Sequence, residues 1–187
     1  QIDDKWVELH GKDCDFLLHY LSMKWGKMRD VDRLVVLRIM AEERLCRVEQ
    51  TMPYLIKLMT SSDSYYRYEA LNYIVKLDGI NQRNTLIQVH LNDPDLGNRN
   101  RALLLLADTF HNQKDKEILR LALSIYEDPE STTESRLIAG SAMMFQWGIT
   151  SDANGRPAFW NEVEAELEHP SLQKAVTETR NLLSKSG

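Results

Sequence analysis

The chain is short of most features that would mark a special class. It has two cysteines in 187 residues, far too few for a disulfide scaffold. Eight glycines and five prolines exclude collagen-like and low-complexity sequence. No apolar run approaches the roughly 18 residues that a membrane span needs. There is no basic excess: 23 basic against 28 acidic side chains give a formal charge of −5, which argues against whole-chain attraction to nucleic acid or anionic lipid. The cysteine count makes the cytoplasm the default compartment. A leader removed ahead of Gln1 is an open alternative.

What is present is ordinary for a folded protein. Apolar residues make up 43% and charged residues 27%, so the chain can bury a core without metal or disulfides. The length fits one domain or one continuous array. The charge is uneven. Residues 1–50 carry 9 basic and 10 acidic groups, residues 51–125 carry 9 and 8, and residues 126–187 carry 5 and 10. The acidic excess sits in the last third and would suit a basic protein partner.

Patterning is helical almost throughout, with apolar residues spaced three and four apart and turn residues between segments. Helices are expected over 13–25, 30–47, from 51 with Pro53 in the first turn, 64–77, 81–91, 98–110, 114–126, 134–147, 158–168 and 170–184. The fold class is therefore all-α. Laying the segments on one another exposes a period. Each unit has an apolar helix, a turn with Asp, a basic residue and a second helix with a small residue. The turns hold Asp63, Asp93-Pro94 and Asp128-Pro129. The basic residues are Arg67, Arg101 and Arg136, and the small residues are Ala70, Ala102 and Ala139. Asp is expected to cap the second helix and the basic side chain to span the turn.

These units resemble HEAT repeats, most clearly over 51–148, with a degenerate pair at 13–50 and a capping pair at 157–185. The resemblance implies an α-α superhelix of about five antiparallel helix pairs in one domain, 1–187. Its second helices would line a concave surface used for binding rather than catalysis. The partner-binding residues expected on that surface are Tyr66, Glu69, Tyr73 and Lys76, then Arg101, Leu104 and Asp108, then Ser141 and Phe145. Tyr66 and Tyr73 stand seven apart beside the core stripe, and tyrosine suits interfaces. Trp6 and Trp25 are expected to pack at the front of the array, Trp147 and Trp160 in its terminal cap.

The expected function is a non-enzymatic protein-binding module: an adaptor or regulatory scaffold, or an acidic immunity-type protein neutralising a basic toxin. No cofactor or metal is expected, since no two of the five histidines stand three or four residues apart. His10 and Cys14 would need a further ligand, and nothing marks Cys14 as a nucleophile. A bridge between Cys14 and Cys46 is geometrically open, because both lie at one end of an antiparallel hairpin; it would imply an oxidising compartment. The alternative function is a HEAT-like nucleic-acid-binding protein or DNA glycosylase, for which Asp108 near Tyr73 is the nearest catalytic candidate. A bilin lyase is a further enzyme alternative. The HEAT-like di-iron hydroxylases need repeated His-Glu pairs, which the chain lacks.

Overall fold

A computed structural model describes residues 2, 6–7, 12–149 and 167–185. Among them nine α-helices occur and no strand: α1 Cys14–Lys24, α2 Asp30–Glu42, α3 Val48–Leu58, α4 Ser64–Asp78, α5 Arg83–Asn92, α6 Leu96–Thr109, α7 Lys116–Glu127, α8 Thr133–Gln146 and α9 Pro170–Ser184. The chain falls into two compact units, Gln1–Gln82 with α1–α4 and Arg83–Gly187 with α5–α9. The helix expected over 158–168, and with it Trp160, lies outside the described residues.

Most expected helices stand within a few residues of their predicted bounds, and two differ. The second ends at Glu42 rather than residue 47, because Arg44 takes a left-handed conformation (φ 49°) that stops it. The third begins at Val48, so Pro53 lies in the second turn rather than at the start. Its missing N–H leaves only the Glu49 carbonyl without a helical donor, and Glu49 is exposed to water.

In the first unit α1 packs on α2, α2 on α3, α3 on α4, and the second helices α2 and α4 lie against each other. The same arrangement recurs in the second unit, where α5 packs on α6, α7 on α8, and the second helices α6 and α8 meet. Helix α9 closes on α8 and α7. The small residues explain the close contacts. Ala70, Ala102 and Ala139 are all fully buried on second helices, as the repeat predicts. Gly140 allows the closest approach: a Cβ there would stand 2.7 Å and 2.9 Å from Leu172 Cδ1 and Cγ, and Leu172 is itself fully buried. Gly140→Ala is therefore expected to destabilise the protein by about 2 kcal/mol through overpacking of α8 on α9, read as a lower midpoint in urea with an unchanged slope. A neutral result would mean that α9 slides freely on α8.

One arginine per pair closes each turn. Arg33 donates to the Trp25 carbonyl from Nε at 3.1 Å and Nη2 at 2.6 Å. Arg67 donates to Ser61 O at 2.9 Å and Ser62 O at 3.2 Å. Arg99 donates to Asp93 O at 2.8 Å, and Arg136 to Tyr126 O at 2.8 Å. These bonds satisfy carbonyls at first-helix ends and in the turns, groups that a helix leaves orphaned. The third member is Arg99, not the expected Arg101, because α6 begins at Leu96, two residues before its predicted start.

The caps are shifted for the same reason. Asp63 accepts from Tyr65 N at 2.9 Å, as expected. In the next turn Asp95 caps α6, accepting from Asn98 N at 2.9 Å, while Asp93 accepts from Asp95 N at 2.9 Å within the turn. In the third, Thr132 caps α8, accepting from Ser135 N at 3.1 Å, and Asp128 accepts from Glu130 N at 3.0 Å. Asp93 and Asp128 each precede a proline, and both form side-chain turns that deliver the chain to the true cap.

Candidate functional site

The second helices of the first unit carry four of the expected partner-binding residues on α4. Tyr66 and Glu69 are half-buried and Lys76 is exposed. Tyr73 is buried, at 8% exposure, because α2 packs over it; its hydroxyl donates to Glu42 Oε1 at 3.1 Å. Burial pushes the Tyr73 phenol up to about 12, with Glu42 adding to the shift, so it remains a neutral donor through ordinary pH. Lys76 Nζ stands 5.9 Å from the Tyr73 ring centroid. Tyr73 thus ties α4 to α2 and presents little area to a partner, which corrects its expected role. What reaches solvent is a mixed face of Glu42, Glu69 and Lys76, with Arg38 exposed on α2.

In the second unit α6 exposes Asp108 and half-exposes Arg101, seven residues apart on one face. The expected Leu104 and Ser141 do not reach a surface. Leu104 is buried, and Ser141 is fully buried with its hydroxyl donating to the Leu137 carbonyl at 2.8 Å. Both are buried, so this is a correction: they belong to the core and not to a binding surface. Phe145 is half-buried, and its carbonyl accepts from Asn112 N at 2.8 Å. The pairing of Asp108 with Tyr73 that a glycosylase would need joins residues of separate units, and the Tyr73 hydroxyl is already engaged by Glu42.

Cys14 and Cys46 form a disulfide, with Cα atoms 5.3 Å apart. Cys14 is therefore neither a thiolate nucleophile nor a metal ligand. Its proposed companion His10 lies outside the described residues. Among the described residues, no group of three or more His, Cys, Asp or Glu side chains is placed to hold a metal ion. Trp25 packs in the core of the first unit, 5.4 Å from Tyr54 by ring centroids, and Trp6 lies tilted against Tyr20 at 4.9 Å, both as expected. Trp147 donates from Nε1 to Thr179 Oγ1 of α9 at 2.9 Å, which holds the terminal helix as expected.

The bridge also shapes a feature that sequence spacing did not reveal. The loop from α2 to α3 and the end of α4 enclose an open cleft of about 350 Å³. Arg44, Arg47 and Lys76 line it, with Leu45, Cys46, Val48 and Leu77 between them. Lys76 was legible as a surface residue. The two arginines lie in a stretch read as helix, and nothing in their spacing brings them to Lys76.

Burial of His90 in the second unit is expected to make stability depend on pH. His90 Nδ1 stands 3.0 Å from the Arg99 carbonyl, which can only accept, so Nδ1 carries the proton. Burial holds the imidazole below its ordinary value of 6.5. Well above pH 6.5 the folded and unfolded forms are both neutral and the stabilisation is complete. As pH falls, the unfolded chain binds a proton that the folded chain resists, and stability is lost down to the folded value. The urea midpoint is expected to fall between pH 7 and pH 5, and His90→Gln, which keeps an N–H for Arg99, is expected to flatten that decline. Asp115 acts at lower pH. Burial alone would raise its carboxyl, but Arg83 at 2.8 Å and the N–H groups of Ile118 and Glu117 hold it below 3.8, so its contribution is lost only as pH falls through that lower range.

No helix among the described residues is long and apolar enough to cross a membrane. Set against protein-family models, curated proteins and solved structures, the chain matches none.

Proposed function

We propose that the chain is a non-enzymatic protein-binding module of the HEAT-like repeat type, an adaptor or regulatory scaffold or an acidic immunity-type inhibitor of a basic protein. One observation carries the reading. In each unit the second helices of successive pairs pack side by side, α2 on α4 and α6 on α8, so each unit presents a continuous ridge of second-helix side chains. Small residues and turn-closing arginines hold those ridges in register, which makes a rigid surface of the kind that binds with little ordering cost. On the first ridge the accessible groups are Glu42, Glu69 and Lys76; on the second they are Arg101 and Asp108. The second unit carries 11 basic and 15 acidic groups against 12 and 13 in the first, which supports a basic partner there. The disulfide supports an oxidising compartment over the cytoplasm suggested by the cysteine count.

The test is capture of partners on the immobilised chain from source lysate, washed at low and high salt, with Glu69→Lys and Asp108→Lys as paired baits. One stoichiometric basic protein, released by high salt and lost on one charge-reversed bait, supports the reading. Nucleic acid eluted without a protein partner overturns it in favour of the nucleic-acid alternative.

A further inference from the structure

We infer that the cleft between the α2–α3 loop and the end of α4 is a binding site for a phosphate monoester on a short apolar body. The inference stands apart from the protein-binding reading and holds or fails without it. The cleft concentrates charge of one sign. Arg44, Arg47 and Lys76 line it, no carboxylate does, and none of the three forms an ion pair with a described residue. Arg44, Arg47 and Lys76 share the rim of one cleft of about 350 Å³, and an anion seated there gains from the field of all three.

The number and type of donors choose the anion. A carboxylate brings one charge and two acceptor atoms. A phosphate monoester brings close to two charges and three terminal acceptor oxygens, which two guanidinium forks and one ammonium can fill. Leu45, Val48 and Leu77 stand between the cations and give an apolar wall for the body that carries the phosphate. The volume is that of a small-molecule site.

Two features of the chain act to hold this geometry. Arg44 adopts φ 49°, a conformation that favours glycine, at the residue after the C-cap of α2. A glycine there would end the helix with less strain and would supply no guanidinium. Cys46, between the two arginines, is bridged to Cys14 at the start of α1, so the loop is pinned to the helix beside it before any ligand arrives.

The experiment is calorimetric titration of the oxidised protein at low ionic strength with inorganic phosphate and with butyl phosphate. Phosphatidylcholine vesicles containing phosphatidic acid test the lipid source of the same group. Butyl phosphate is expected to bind one to one and more tightly than inorganic phosphate. Arg44→Gly is expected to weaken it at least tenfold while the melting temperature stays level or rises, which separates lost binding from lost folding. Arg47→Gln is expected to weaken it similarly, and Arg120→Ala, an exposed arginine on α7, to leave it unchanged. No saturable binding, an equal loss with Arg120→Ala, or binding to the vesicles alone would overturn the inference.

Discussion

Gln146→Leu is expected to cost about 3 kcal/mol of stability, though it swaps a side chain for one of similar size. Gln146 is fully buried at the end of α8 and makes three hydrogen bonds to two other elements. Its Nε2 donates to the Ala107 carbonyl at 3.1 Å and the Phe110 carbonyl at 2.8 Å, at and just beyond the end of α6. Its Oε1 accepts from Asp115 N at 2.9 Å, the residue that caps α7. One amide therefore joins the end of α6, the start of α7 and the end of α8. Leucine keeps the volume and leaves the buried Ala107 carbonyl, and the half-buried Phe110 carbonyl and Asp115 N–H, without their partner. Each such group costs about 1–3 kcal/mol where water cannot reach it. The Phe110 carbonyl is partly accessible and recovers some of the loss, so the sum stays near the lower end.

Urea unfolding reads the effect as a shifted midpoint at constant slope. Gln113→Leu, at an exposed position in the same loop, is the control and is expected to change stability by less than about 0.5 kcal/mol. Gln146→Glu is expected to fare no better than leucine, because a carboxylate cannot donate to the two carbonyls. A loss below about 1 kcal/mol for Gln146→Leu would show that water takes over the amide's bonds and that the junction is not held by it.

The loop that Gln146 receives supports this placement. Asn112 and Lys114 both take left-handed conformations, φ 57° and 54°, and their N–H groups donate to the carbonyls of Phe145 and Gln146 at 2.8 Å and 3.2 Å. Helix α8 itself stops with two closing bonds, Gly148 N to Phe145 O at 3.1 Å and Ile149 N to Met144 O at 3.0 Å, around Gly148 at φ 63°. Backbone that strained persists only where its surroundings over-determine it.

Helices and their apolar faces were legible in the sequence because periodicity is a local property. Ala70, Ala102 and Ala139 were assigned to tight helix contacts from their spacing, and all three are fully buried. Cap identity was less legible. In Asp93-Pro94-Asp95 either carboxylate can cap, and only the true first residue of α6, Leu96, selects Asp95. Depth was not legible at all. Tyr73 and Ser141 were expected on an exposed face from their period, yet both are buried, and a period gives direction rather than distance from solvent. Gln146 was missed for a related reason: glutamine is usually exposed, and no local pattern announces a buried amide. The cationic cleft was missed because it joins a loop at 44–47 to a helix end some thirty residues on. That contact arises from the packing of α2 on α4 and not from any motif.

Removing the disulfide is expected to have the largest effect on the first unit. Cys14 and Cys46 close a loop with a sequence separation of 32, and chain-entropy arithmetic for that length gives about 3–4 kcal/mol. Their placement suits a crosslink, with Cα atoms 5.3 Å apart. Cys14 opens α1 just after its Asp13 cap, and Cys46 follows the end of α2, so the bridge crosslinks the open end of an antiparallel pair. Leu17 and Leu21 bury fully against that pair, and α1 is expected to remain docked but to open more often. Cys14→Ser with Cys46→Ser, or a non-thiol reductant on the natural chain, should then speed hydrogen exchange in peptides covering α1 and the loop at 43–47. Peptides covering α6 and α8 in the second unit should keep their protection. Equal loss in both units would show that the two unfold as one cooperative body. Unchanged exchange in α1 would show that Leu17 and Leu21 hold the helix by themselves and that the bridge adds nothing to its stability.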